Sequence, residues 1–150
     1  MVKRTLPLPP ERVFELRTDA DEFVRWFAPG AKLGDERGEP YEVYILPEGS
    51  PQRGSEGCTV LAAVPARLLS FTWNAPPSFS EQRDLHTRVT LRMTPAPGGG
   101  CELSLSHRGF PKAADEPDSD WARVAAYFER AWPGVMNALQ ARCRALAEGE

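Results

Sequence analysis

Apolar and polar positions along this chain change period twice, and the changes divide it into three stretches. Residues 1–8 alternate, with Val2, Arg4 and Leu6 against Lys3 and Thr5, which predicts a short first strand. Pro9-Pro10 stops it and pre-sets a helix start, and Val13, Phe14 and Leu16 form a short apolar stripe ending near Thr18. Asp19 with Glu22 three positions on has the form of a capping box, predicting a second short helix with Ala20, Phe23, Val24 and Phe27 on one face and its end at Pro29-Gly30. From there to Phe110 the period is two. Strands are predicted over Tyr41–Leu46, over Glu56–Val64 with Cys58, Val60, Ala62 and Val64 on one side, and at Leu69, Phe71 and Trp73. Two more follow, over Thr87–Met93 with Val89, Leu91 and Met93 inward, and through Cys101, Leu103, Leu105 and His107. The stretch from Pro95 to Gly100 between them reads as a hairpin loop.

The last third is helical. Asp118-Ser119-Asp120 offers N-caps, and Trp121, Val124, Phe128, Trp132, Val135, Leu139, Cys143 and Leu146 follow at spacings of three and four. Pro133 removes the hydrogen bond to the Glu129 carbonyl, so the expectation is a bent helix, or two nearly continuous ones, along a single sheet. The fold class is therefore α+β: a curved antiparallel sheet of six or seven strands around a long, kinked C-terminal helix, with two short helices after strand 1. This is the helix-grip architecture.

The resemblance extends to particular residues. Pro10-Glu-Arg-Val-Phe-Glu-Leu16 followed by Phe23-Val-Arg-Trp-Phe-Ala-Pro29 resembles the opening of the SRPBCC superfamily of START, polyketide-cyclase and birch-pollen-allergen-like domains. Three further segments, Pro65–Trp73, Leu105–Phe110 and Trp132–Leu139, are similar to the bacterial relatives of the C-terminal domain of the activator of heat-shock-protein-90 ATPase. The match spans about residues 2–147 in family order. It implies one domain over residues 1–150 and a cavity between the sheet and the long helix that takes an apolar or amphipathic small molecule. It also implies, by analogy alone, contact with a chaperone.

Composition narrows the classes. The 15 prolines, against roughly 5% in an average chain, are spread throughout and exclude a simple helical bundle. Lys+Arg 18 against Asp+Glu 21 gives a net charge of −3 without a basic run, which argues against a nucleic-acid binder. The longest uncharged stretch, Leu68–Ser80, is 13 residues, against ~20 for a membrane span, so no membrane insertion is expected. No apolar stretch follows the basic N-terminal residues, and the three cysteines lack metal-ligand spacing. A cytoplasmic protein with reduced thiols, no metal and no cofactor is the expectation, as monomer or homodimer.

No nucleophile–base pair or metal set stands out. His86, beside Arg83 and Asp84, reads as exposed. His107 falls on the apolar face, either held by a backbone carbonyl at the strand end or set at a cavity mouth to orient a ligand. Phe71, Trp73, Leu91, Phe128, Trp132 and Met136 fall on inward faces, where a packed core and a cavity wall use the same residues. Tyr41 or Tyr44 joins them according to register, with Tyr44 the candidate, and Trp26 is either rim or packing. Three functions remain: non-catalytic ligand binding, a cyclase- or hydratase-like reaction in which His107 moves protons, and a protein-interaction module. The loop Ala75–Asp84 is long enough to serve as a lid, or is simply a loop.

Overall fold

A computed structural model describes residues 1–149. Strand β1 (Val2–Leu6) leads into helix α1 (Pro10–Thr18) and the single turn of α2 (Ala20–Phe23). Strands β2 (Gly30–Leu33), β3 (Tyr41–Tyr44), β4 (Val60–Val64), β5 (Leu68–Trp73), β6 (Thr87–Ala96) and β7 (Gly100–Arg108) follow, and helix α3 (Asp120–Ala147) closes the chain. Five strands form one antiparallel sheet in the order β1-β7-β6-β5-β4, so the first strand pairs with the last. The seven strands thus make two sheets, with β2 and β3 in a small hairpin-like pair of their own. An isolated bridge between Pro40 and Thr59, with Tyr41 N–H donating to the Cys58 carbonyl and Val60 N–H to that of Glu39, joins the small sheet to β4. Strand β2 has no alternating apolar pattern, and the sequence did not announce it.

Local chemistry fixes the start. Pro10 occupies the first turn of α1, and the Asp19 carboxylate accepts from the N–H groups of Asp21 and Glu22, as the capping pattern predicts. The second helix is shorter than expected. It ends at Phe23 rather than at Pro29-Gly30, and Val24 turns out to solvent. The carbonyls of Phe14 to Arg17 in the last turns of α1 each find a donor: Thr18 Oγ1 for Phe14, Asp19 N–H for Glu15, Trp26 Nε1–H for Leu16 (3.0 Å), and the Tyr41 hydroxyl for Arg17 (2.8 Å).

The predicted parity of β4 holds only at its start. Cys58 and Val60 are buried, but a register shift between Val60 and Ala62 inserts an extra residue. Beyond it Ala63 packs against the core and Val64 is exposed, the reverse of the expected alternation. The β6–β7 ladder runs without interruption from Arg88↔Arg108 to Ala96↔Gly100.

Helix α3 is one continuous element of 28 residues, capped by Ser119, whose hydroxyl accepts from Ala122 N–H. It does not divide at Pro133. Val124, Phe128, Trp132, Met136, Leu139 and Cys143 form its buried face, with Met136 inward as expected and Val135, which spacing put in the stripe, half-buried beside it. Asn137 and Gln140 tie the helix to β1 through Arg4 Nε and the Thr5 carbonyl. Between helix and sheet, Leu69, Phe71, Leu91, Leu103, Leu105 and Leu139 are 1% exposed or less. The middle of the grip is solid core.

Candidate functional site

Because the middle is packed, open space lies toward the N-terminal half of α3. The rings there form a connected group: Trp73 and Trp132 have centroids 5.5 Å apart, Trp132 and Phe128 are stacked at 5.8 Å, and His107 lies 4.7 Å from Phe128. Two clefts flank this group. One, of about 430 Å³, runs between β1, β7 and α3 and is bordered by Val2, His107, Phe110, Phe128, Glu129 and Pro133. The other, of about 280 Å³, lies beside Trp73, Phe128, Tyr127, Ile45, Leu46 and Pro76-Pro77. Pro133 and the residue whose carbonyl it leaves without an N–H partner, Glu129, border the first cleft together.

His107 is held at both nitrogens. Trp132 Nε1–H donates to its Nδ1 at 2.9 Å, so that nitrogen carries no proton. The proton of the neutral ring is then on Nε2, 2.6 Å from Thr87 Oγ1, and the Thr87 hydroxyl donates to the Trp73 carbonyl at 3.1 Å. This chain satisfies every polar atom in it. Burial pushes the imidazole down to about 4, and a second ring proton would have to face the indole N–H. Of the two alternatives for His107, a backbone carbonyl at the strand end is not its partner: the Thr87 hydroxyl and the Trp132 indole hold it, and its ring borders the first cleft. His86 is exposed, as its position implied.

The other candidates divide by position. Trp73, Phe128 and Trp132 join His107 around the two clefts. Phe71, Leu91 and Met136 are buried in the core and border neither cleft, with Phe71 stacked on Tyr41 at 4.0 Å. The inward tyrosine is Tyr41, which is fully buried; Tyr44 lies on the other face of β3, its hydroxyl donating to Glu42 and its ring under the Arg53 guanidinium at 4.6 Å. Desolvation pushes the Tyr44 phenol up to about 12. Trp26 is half-buried and borders a separate groove of about 320 Å³ with Phe27, Ala131, Gly134, Val135 and Ala138. The loop 75–84 is pinned: Arg83, 6% exposed, donates to the carbonyls of Ala75 and Gly54 and pairs with Glu56 at 3.5 Å.

One polar residue of the interior escaped the sequence reading. Arg17 is 2% exposed, and no acidic side chain among the described residues reaches it. Its guanidinium carbon lies 5.4–5.8 Å from the ring centres of Phe23, Trp26, Phe27 and Phe71. Desolvation lowers its pKa, opposed in part by the Tyr41 hydroxyl beside it. Burying an unpaired ion costs several kcal/mol even after relaxation, on the order of 3–5 by the effect of breaking buried pairs. Cation–π contacts return about 0.5–2 kcal/mol each, and these lie near the outer limit of their range. The α1 dipole adds at most ~2 kcal/mol. The rings cannot accept N–H hydrogen bonds as an oxygen does, and Arg17 Nε has no partner. A signal was present: Pro10, Val13, Phe14 and Arg17 stand at i, i+3, i+4 and i+7, which puts Arg17 on the buried face.

The sequence profile described as "Activator of Hsp90 ATPase homolog 1-like protein" matches residues 7–143. Protein MLL2253 of Mesorhizobium loti has a similar structure, with a TM-score of 0.73 at 24% identity over 99% of this chain and 96% of that one. An AHSA1-like protein of Rhizobium etli matches with a TM-score of 0.60 at 24% identity over 95% of this chain and 80% of its own. DynU16, a protein of the dynemicin biosynthetic locus, matches at 18% identity and a TM-score of 0.63, covering 99% of this chain and 47% of that one. These identities establish a shared fold alone. No curated protein matches the chain significantly.

Proposed function

The chain belongs to the activator of Hsp90 ATPase homolog 1-like family, and on that premise we propose that it binds a small apolar or amphipathic molecule, without transforming it, in the cleft over Trp73 and Phe128. One observation carries this reading. Ile45, Leu46 and Tyr127 are 50%, 39% and 43% exposed, and all three surround the same 280 Å³ concavity, whose floor is aromatic and whose rim is proline. Scattered apolar side chains on a surface are ordinary; several converging on one concavity are the mark of a ligand site. His107 supports the non-catalytic form of the reading, since both its nitrogens are already engaged within the protein. No helix of the described residues is long and apolar enough to cross a membrane.

The test is a thermal-shift screen with fatty acids, isoprenoids, flavonoids and aromatic polyketides, run on the wild type and on Ile45→Glu. A ligand at 100 times its dissociation constant adds ~2.7 kcal/mol of stability. Shifts seen in the wild type are expected to vanish in the variant, whose half-exposed position leaves folding untouched. No shift with any apolar compound, together with no small molecule retained in native mass spectrometry of freshly purified protein, would overturn the proposal. The same exposed side chains favour one second reading, contact with a chaperone. Capture of the host chaperone by the wild type and not by Ile45→Glu, without any small-molecule shift, would establish that reading instead.

A further inference from the structure

Apart from that cleft, the molecule contains a buried cation with no anion. Arg17 offers five N–H donors, and the side-chain acceptor beside it among the described residues is a single neutral oxygen, the Tyr41 hydroxyl. The carbonyls of Phe14, Glu15, Leu16 and Arg17 in the last turns of α1 are engaged by Thr18, Asp19, Trp26 and Tyr41. Nε has no partner, and no carboxylate of the described residues pairs with the group. The Tyr41 hydroxyl gives its proton to the Arg17 carbonyl and accepts from the guanidinium through its oxygen, one neutral acceptor for a cation that meets no anion. A purely structural position on this face calls for an apolar side chain, as Pro10, Val13 and Phe14 supply one and two turns earlier.

The walls around Arg17 indicate how a ligand would reach it. Two of its four rings, Trp26 and Phe27, are half-buried and also line the 320 Å³ groove against α3. Across the groove the helix presents Ala131, Gly134, Val135 and Ala138, a small-residue surface suited to a hydrocarbon chain. Trp26 is fastened by its N–H to the Leu16 carbonyl, whereas Phe27 is held by packing alone, stacked on Phe23 at 4.9 Å.

We propose that Arg17 anchors the carboxylate of an amphipathic monocarboxylic acid whose apolar part lies in the groove between Trp26, Phe27 and α3, with Phe27 turning aside to admit it. A single guanidinium neutralises a single negative charge, so a monoanion fits and a phosphate dianion leaves buried charge of the opposite sign. A carboxylate also matches the planar fork of the guanidinium with two parallel acceptors, and a flat head group slips between flat rings. This site is separate from the cleft over Trp73 and does not depend on it.

The probes are decanoate and decan-1-ol, equal in chain length and different in charge, measured by calorimetry on the wild type, Arg17→Met and Arg17→Lys. The wild type should bind decanoate at least tenfold more tightly than decanol. Arg17→Met should lose that preference while gaining thermal stability in the absence of acid, because it removes an unpaired charge; Arg17→Lys should keep part of the preference. With carboxyl-¹³C-labelled decanoate, the bound acid should stay ionised at a pH where the free acid protonates, a readout that needs no variant. Equal binding of acid and alcohol by the wild type, absence of decanoate binding, or a preference that survives Arg17→Met would each overturn the proposal. So would a lower melting temperature in Arg17→Met, which would mean that the charge is compensated within the protein.

Discussion

At the scale of single residues, the interior polar groups fall into two kinds. His107 is a finished structure: a donor on one side, an acceptor on the other, and a threonine relaying the bond to the backbone. Its folded pKa of about 4 lies below the ordinary histidine value of 6.5, so in that interval the unfolded chain binds the extra proton. The stability contributed is therefore full above pH 6.5, is lost as pH falls from 6.5 toward 4, and changes no further below that. A separation of this size corresponds to about 3 kcal/mol at most. Urea unfolding at pH 7 and pH 4.5 should show a fall of that order, largely removed in His107→Gln. Proton NMR should find the His107 ring neutral through pH 5; a His107 ring that titrates near the ordinary histidine value of 6.5 would refute the assignment. Arg17 is of the other kind, a buried cation with the neutral Tyr41 hydroxyl beside it, no anion, and an Nε without a partner.

At the scale of elements, α3 shows what packing does to a local rule. Pro133 lacks the N–H that would reach the Glu129 carbonyl, a defect worth ~3 kcal/mol in a helix interior. The helix nonetheless continues, because Trp132 and Met136 on either side are buried in the same core, 4% and 2% exposed. The freed carbonyl belongs to an exposed residue and can be hydrated. Pro133→Ala should restore the bond. Proline also stabilises by about 0.4–1 kcal/mol through the lower entropy of the unfolded chain, so the net gain expected is about 2–2.5 kcal/mol, read as a higher urea midpoint at unchanged m-value. An unchanged or lower midpoint would show that the proline ring's own contacts at the cleft outweigh the missing bond.

At the scale of the molecule, the three cysteines report on cooperativity. Cys58 before β4, Cys101 in β7 and Cys143 in α3 are fully buried, and burial pushes their thiols to about 11, 11 and 12. All three should resist a disulfide reagent in the native state and become reactive at the same denaturant concentration; early reaction of one alone would reveal a part that opens by itself.

The sequence by itself determined the order of elements apart from β2, the inward residues of β5, β6 and β7, the cap at Asp19, the stretch 118–120 that holds the cap of α3, and membership of a family, because these depend on local pattern and chain order. It could not determine the register shift in β4, since an inserted residue is visible only against the strand it pairs with. For the same reason Tyr41 and Tyr44 were indistinguishable until β3 had its partners. The pairing of His107 with Trp132 joins residues 25 apart, and the cage around Arg17 draws on α2, the segment after it and β5. Whether the grip is filled or hollow was likewise left to tertiary structure: core and cavity wall use the same apolar residues, and only the fit of one surface on another decides where space remains.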